Sequence, residues 1–178
     1  MTKNKKDHKN IEIKAKCSDF KKIRKILISQ KADFKGIDHQ IDTYFKINNG
    51  RLKLREGNIE NDLIFYNREN KKGPKKSEVI LLKNNPKSSL KKILEASLGK
   101  LIVVDKHREI FFIKNVKFHL DKVKNLGTFV EIEAIDKKGN FSEKKLLEQC
   151  NFYLKLFRIS KKDLVNNSYS DLLIKNKK

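Results

Sequence analysis

The chain has 178 residues, and 43 Lys and Arg against 22 Asp and Glu give it a formal net charge of +21. That charge favours anionic partners such as nucleotides, polyphosphate or nucleic acid, and the length suits a single domain. Two isolated thiols, Cys17 and Cys150, exclude a disulfide framework, and no apolar run approaches the roughly 18 residues of a membrane span.

Residues 1–9 are polar and basic and lack the apolar centre of a signal peptide, so we expect a cytoplasmic protein without membrane contact. We expect 1–9 and 175–178 to be disordered basic tails around one domain at 10–174. Alternating apolar and polar residues, separated by turn signals, predict strands at 10–17, 39–48, 51–57, 62–69, 77–83, 101–113, 116–122 and 127–136. Asn48-Asn49-Gly50 predicts a tight hairpin between the second and third of these strands.

Apolar residues at helical spacing predict three helices between the strands. The first carries Phe20, Ile23 and Leu27, and the second ends at Gly99. The expected N-cap of the first helix is Ser18, and that of the second is Ser88 or Ser89. Ser142 is the expected N-cap of the third helix. The residues of the third helix expected to face inward are Leu146, Leu147, Cys150 and Leu154.

Several predicted strands carry their charges on one face, because strand side chains alternate between two faces. The third strand places Arg51, Lys53 and Arg55 opposite its leucines, and the last strand places Glu131 and Glu133 together. Burying three cations in a dry core would be prohibitive without partners. A curved or closed antiparallel sheet, with helices on its apolar outer face and a wet, charged interior, is therefore expected. Such an interior suits metal ions held against polyphosphate.

The charged strands also carry a resemblance to a known family. The matching stretches, in chain order, are 10–16, 40–45, 50–55, 66–68, 106–108, 118–123, 126–133 and 168–173. Together they resemble the CYTH superfamily, the triphosphate tunnel metalloenzymes, and most closely its class IV adenylate cyclase-like branch. The resemblance implies an α+β fold: a closed eight-stranded antiparallel β-barrel that forms a tunnel for a triphosphate, with helices packed outside.

The first stretch departs from the family's opening pattern, Glu-x-Glu-x-Lys. In Asn10-Ile11-Glu12-Ile13-Lys14 an amide replaces the first carboxylate, which leaves one negative charge fewer for metal. A register shifted by two residues would instead match Glu12 and the two following lysines. We prefer the first register because it keeps an acid and then two bases in the family's order.

The resemblance implies roles for the charged residues. Mg²⁺ or Mn²⁺ is the expected cofactor, since hard cations take carboxylate, phosphate and water oxygens. The predicted metal ligands are Glu12, Asp121, Glu131 and Glu133. Arginine forks and lysine point charges suit phosphate. The predicted phosphate-binding residues are Lys14, Lys16, Arg51, Lys53, Arg55, Arg68, Lys106 and Arg108, with Lys83 as a further candidate. The residues assigned most directly to catalysis are Glu12, Lys14, Arg55 and Glu131. His107 and His119 receive no role.

The expected function is the conversion of ATP to cyclic AMP and pyrophosphate, with the ribose 3′-hydroxyl as nucleophile. With water as nucleophile, the same site would hydrolyse inorganic or thiamine triphosphate. A third possibility is binding of RNA or its 5′-triphosphate end, which we favour less because no aromatic platform accompanies the basic residues. The expected partner is a nucleotide or other triphosphate, bound by a monomer or homodimer.

Overall fold

A computed structural model describes residues 7–68 and 73–177, apart from the side chains of residues 7, 8 and 68. Its strands are β1 (Asp7–Lys16), β2 (Asp33–Phe45), β3 (Arg51–Gly57), β4 (Asp62–Arg68), β5 (Lys75–Lys83), β6 (Lys100–Ile113), β7 (Val116–Val123) and β8 (Gly127–Asp136). They close into an antiparallel barrel in the order β1-β5-β4-β3-β2-β6-β7-β8. This confirms the predicted α+β fold and the closed eight-stranded barrel.

The helices are α1 (Phe20–Ser29), α2 (Leu90–Leu98), α3 (Glu143–Leu156) and α4 (Tyr169–Asn176), with a 3₁₀ turn at Lys161–Asp163. The first three were predicted, but α4 was not. It has only eight residues, and three adjacent apolar residues hide its helical period. Its one sequence signal is a capping box, in which Ser168 and Asp171 bond each other's backbone.

The main differences from the predicted strand and domain boundaries lie near the two ends of the chain and at the start of β2. β1 begins at Asp7 and α4 extends to Asn176, so residues 7–9 and 175–176 belong to the folded domain rather than to the tails. β2 begins at Asp33 instead of residue 39. Its early part pairs with the end of β6 across a bulge at Gly36, and this bulge interrupts the alternating pattern that would reveal the strand.

Two details of the predicted helices are corrected. Asp19, not Ser18, caps α1, because its carboxylate accepts a hydrogen bond from the Lys22 amide at 3.0 Å. Leu147 is exposed on α3, whereas Leu146 and Cys150 are buried. The buried stripe of α3 recurs every three or four residues, so Leu147, adjacent to Leu146, points about 100° away from the stripe.

The hairpin between β2 and β3 turns at Gly50, as predicted. Its φ of +70° lies in the left-handed region, and a Cβ there would approach the Phe65 ring to 2.8 Å. Both the backbone conformation and the close contact therefore require glycine at this position.

Apolar residues form two separate clusters. One lies outside the barrel, where β1, β7 and β8 pack against α1 and α3 around Phe118. The other fills one end of the barrel interior beneath α4, around Phe129 and Tyr169. The interior is therefore apolar at one end rather than wet throughout. None of the described helices is long and apolar enough to span a membrane.

The outer cluster yields a stability prediction. Phe118 is fully buried and meets Tyr153 edge to face with ring centroids 4.6 Å apart, whereas Phe152 is 55% exposed and also contacts Tyr153. Phe118→Ala should lower the free energy of unfolding by about 3–5 kcal/mol, because it leaves a cavity in the core. Phe152→Ala should cost less than about 1 kcal/mol. Urea unfolding of both variants checks this, and equal losses would contradict the packing described.

Candidate active site

The barrel encloses a cavity of about 410 Å³. At one end α4 and the segment before it lie across the barrel. The Tyr169 hydroxyl donates to Asp121 at 2.8 Å, and the Lys75 ammonium donates to the Val165 carbonyl at 3.0 Å. We call the opposite end the mouth. The charged residues that line the cavity there are Glu60, Asp62, Lys83, Lys117 and Lys137.

Most of the predicted site residues share this one cavity. The predicted residues that line it are Glu12, Lys14, Lys53, Arg55, Lys106, Arg108, Glu131 and Glu133. They come from β1, β3, β6 and β8, so the closed sheet brings together groups that are far apart in the sequence. The period-two alternation predicted this inward face for Lys53, Arg55, Glu131 and Glu133, whereas Lys106 and Arg108 were named from the resemblance alone.

Three of the predicted residues, Lys16, Arg51 and Asp121, do not line the cavity. Lys16 is exposed beyond the cavity, and the side chain of Arg68 lies outside the described residues. Arg51 does not line the cavity and instead pairs with Asp171 of α4 at 3.0 Å, which fixes the C-terminal helix to β3. Asp121 does not line it either. The positions of Lys16, Arg51 and Asp121 do not support direct contact with a ligand.

Asp121 is completely buried behind Arg108. Its carboxylate accepts hydrogen bonds from the Arg108 guanidinium at 2.6 and 2.5 Å, as well as the one from Tyr169. Burial alone would raise the pKa of the Asp121 carboxyl, but Arg108 outweighs burial and lowers it. Because this carboxylate is completely buried and does not line the cavity, it is poorly placed for the predicted role of metal ligand. Its contacts instead fix the orientation of Arg108.

Glu131 forms ion pairs with basic groups of β1 and β6 in the cavity. Its carboxylate lies 3.0 Å from the Lys14 ammonium and 2.8 Å from the Arg108 guanidinium. Burial would raise the pKa of Glu131, but Lys14 and Arg108 hold it well below its usual range. His119 Nδ1 lies 3.1 Å from the same carboxylate. Burial and the nearby Arg108 lower the pKa of His119 to about 4, so its imidazole is neutral at pH 7.

A second carboxylate, Asp42 on β2, organises the other cations. It accepts from Lys53 at 2.9 Å, from Lys106 at 2.6 Å, and from two nitrogens of Arg55 at 2.8 and 3.1 Å. We did not predict Asp42 as a site residue, although it lies in the stretch 40–45 that carries the resemblance. Burial lowers the pKa of Lys106 to about 7, since Asp42 cannot fully compensate three neighbouring cations.

The mouth holds further residues that the sequence reasoning missed. Lys117 alternates with His119 along β7, so the same period-two argument could have placed it on the inner face. Glu60 lies in the turn between β3 and β4, where no periodic signal exists. Lys83, which we named without a motif, lines the cavity and pairs with Asp62 at 2.9 Å.

The CYTH domain family model matches residues 8–169 of the chain. The chain belongs to the CYTH domain family. Enzymes of this family act on triphosphate substrates and depend on a divalent metal ion. The match runs from the second residue of β1 to the first residue of α4.

Individual relatives agree with this assignment. A Methanocaldococcus jannaschii protein named "Putative adenylate cyclase" is 28% identical to this CYTH chain over 173 residues, or 91% of this chain and 97% of that protein. A Vibrio parahaemolyticus structure of a "putative adenylate cyclase" has a TM-score of 0.72 at 15% identity, covering 93% and 97% of the two chains. A Hippeastrum structure, named "Putative adenylyl cyclase" and described with a dominant triphosphatase activity, has a TM-score of 0.58 at 13% identity, covering 94% and 95%. These two structures share the CYTH fold.

The acidic side of the cavity fits the metal that the CYTH family requires. Glu12 and Glu133 face each other in register on β1 and β8, and both line the cavity with Glu131. The Asn10 amide nitrogen donates to Glu133, and its buried Oδ1 has no hydrogen-bond partner among the described residues. These oxygens suit Mg²⁺ or Mn²⁺. No three His, Cys, Asp or Glu residues within 7–68 and 73–177 already form a metal cluster, so phosphate and water oxygens would complete the coordination.

Lys106 should make stability rise with pH between about 7 and 9. Its folded pKa of about 7 lies below the ordinary 10.5, so the unfolded chain binds more protons in this range. Only the folded state buries the charged Lys106 ammonium, and raising the pH removes that charge and the free-energy cost of burying it. The free energy of unfolding of the wild type should increase relative to that of Lys106→Met from pH 7 to pH 9. Parallel pH profiles in urea unfolding would contradict this.

Proposed function

We propose that this CYTH protein is a metal-dependent enzyme that converts ATP to cyclic AMP and pyrophosphate. One observation carries the proposal: Arg55 and Glu131, which are 76 positions apart in the chain, line a single enclosed cavity. The cavity wall carries basic groups, which suit the phosphates of a metal–polyphosphate complex, and carboxylates, which suit its metal ion.

Two groups of cations are positioned to bind the phosphates. Lys53, Arg55 and Lys106 surround Asp42, and Lys14 and Arg108 surround Glu131. We infer that an extended triphosphate contacts both groups. Because the carboxylates already orient the cations, little reorganisation is needed when charge develops on the phosphates.

Glu12, Glu131 and Glu133 are the residues that would hold the metal ion. When bound, the ion neutralises charge on the phosphate oxygens and polarises phosphorus. In the cyclase reaction the ribose 3′-hydroxyl loses its proton to water, its oxygen bonds to the α-phosphorus, and the bond from that phosphorus to pyrophosphate breaks. The neutral His119 lines the cavity, and its Nε2 has no partner among the described residues, so it can accept a hydrogen bond from the attacking hydroxyl.

Apolar residues near the mouth favour a nucleotide over inorganic triphosphate. Leu81, Phe112 and Ile135 line the cavity close to the ends of β5, β6 and β8. An inorganic chain would leave this apolar surface without a partner, whereas the base and ribose of ATP can cover it. The name of the Methanocaldococcus jannaschii relative agrees with the same choice.

Hydrolysis of a triphosphate is the second candidate. It uses the same residues, but the nucleophile is water instead of the ribose hydroxyl, and it attacks the terminal phosphorus instead of the α-phosphorus. The Hippeastrum protein, whose fold this chain shares, is described with a dominant triphosphatase activity. RNA binding receives less support, because Lys53 and Arg55 point into the barrel, with side chains only 12% and 8% exposed, rather than forming an outer surface.

Product analysis with ATP, thiamine triphosphate and inorganic triphosphate tests the proposal. With Mg²⁺ or Mn²⁺ the protein should release cyclic AMP and pyrophosphate in equal amounts from ATP, and a chelator should abolish the reaction. Phosphate release without cyclic AMP would assign the site to hydrolysis. Absence of turnover with all three substrates would contradict both candidates.

Arg55→Lys should lower turnover about 100-fold, because lysine keeps the charge but loses the planar fork that holds both Asp42 and a phosphate. Arg24→Lys is the matched control. Arg24 also makes a two-nitrogen contact with a carboxylate, Glu109, with both distances 2.6 Å, but this pair lies outside the cavity. The control should stay within about twofold of the wild type in steady-state kinetics. Similar losses in both variants would show that the Arg55 effect is not specific to the site.

A further inference from the structure

The turn between β3 and β4, residues 58–61, inserts one carboxylate into the mouth of the cavity. Glu60 bridges two cations there: it accepts from the Arg55 guanidinium at 2.8 Å and from the Lys117 ammonium. Its third donor is the Gln40 amide at 3.0 Å, and its side chain is only 19% exposed. Arg55 and Lys117 belong to different strands, β3 and β7, so Glu60 links two sides of the barrel.

The turn is built to hold Glu60 in this position. Asp38 is completely buried on β2 and accepts hydrogen bonds from the backbone amides of Ile59 at 2.9 Å and Glu60 at 3.0 Å. Gly57 and Asn61 close the base of the turn with reciprocal bonds of 3.1 and 2.8 Å. These bonds fix the backbone of the turn from which the Glu60 side chain projects.

The surroundings of Glu60 are those of a bound anion. Burial would raise the pKa of its carboxyl, but Lys117 and Arg55 outweigh burial and hold that pKa well below its usual range. The carboxylate is therefore ionised at neutral pH. Its two oxygens divide between two cations, Oε2 to Arg55 and Oε1 to Lys117, as two oxygens of a phosphoryl group would.

We propose that Arg55 and Lys117 form a phosphoryl-binding subsite at the mouth, and that Glu60 occupies this subsite in the free protein and competes with phosphate for it. The inference rests on the proposed function in taking a polyphosphate as ligand. A phosphoryl group carries more negative charge than a carboxylate, and it wins the exchange when other phosphates of the same molecule are held deeper in the cavity. Glu60 therefore favours longer phosphate chains over single phosphates.

Binding of inorganic tripolyphosphate in a metal chelator tests this without turnover. Glu60→Gln removes the competing charge, so calorimetry should show binding at least about 10-fold tighter than in the wild type. The rise in Tm caused by the ligand should also be larger. Glu56→Gln is the matched control, because Glu56 pairs with Lys91 at 2.6 Å outside the cavity. Its affinity should equal that of the wild type. Lys117→Gln, which removes part of the subsite, should weaken binding about 10-fold.

Unchanged or weaker binding in Glu60→Gln would overturn the inference, since Glu60 would then orient the two cations rather than compete for them. If Glu60→Gln does not fold, Lys117→Gln decides: wild-type affinity in that variant overturns the subsite, and weakened affinity supports it. These outcomes are separate from those of the turnover assay. A protein that turns over no triphosphate but shows the Glu60 effect would contradict only the proposed function, and the reverse result would contradict only this inference.

Discussion

The structure depends on pairing the charges that the closed barrel turns inward. Closure removes the sheet edges, but it also makes every inward cation a buried charge, which is costly without a partner. Asp42 and Glu131 meet this constraint, since each carboxylate contacts at least two basic groups at 3.1 Å or less. The cations that we propose to bind the substrate are consequently held in place before it arrives, and the pairing that permits folding also prepares the site.

The two ends of the barrel serve different purposes. Beneath α4 the interior is packed with apolar side chains, and Tyr169 connects that helix to Arg108 through Asp121. The mouth instead holds ionised groups, including Glu60, whose contacts with Arg55 and Lys117 we propose that a ligand replaces. We infer that substrates enter and products leave at the mouth, and that the C-terminal helix stabilises the position of a phosphate-binding arginine. Fold stability and site geometry are therefore coupled through a few buried hydrogen bonds.

The sequence predicted those features that depend on local alternation. The inward faces of Lys53 and Arg55, and of Glu131 and Glu133, follow from the two-residue period of a strand, and the structure places all four on the cavity wall. Long-range features were less accessible. Nothing near Asp121 indicates that its carboxylate meets Arg108 of β6, because that pairing depends on the register between strands. Glu60 lies in a turn without a period, and α4 is too short to show one.

The central claim is that a triphosphate and its metal bind inside the barrel between the Asp42 and Glu131 cation groups. A crystal structure with Mn²⁺ and an ATP analogue that cannot be cyclised tests it most directly. Phosphate oxygens should lie within hydrogen-bond distance of Arg55 and Arg108, and the anomalous signal of Mn²⁺ should lie beside Glu133 or Glu131. Phosphates bound to the outer surface, with no ligand in the cavity, would contradict the account.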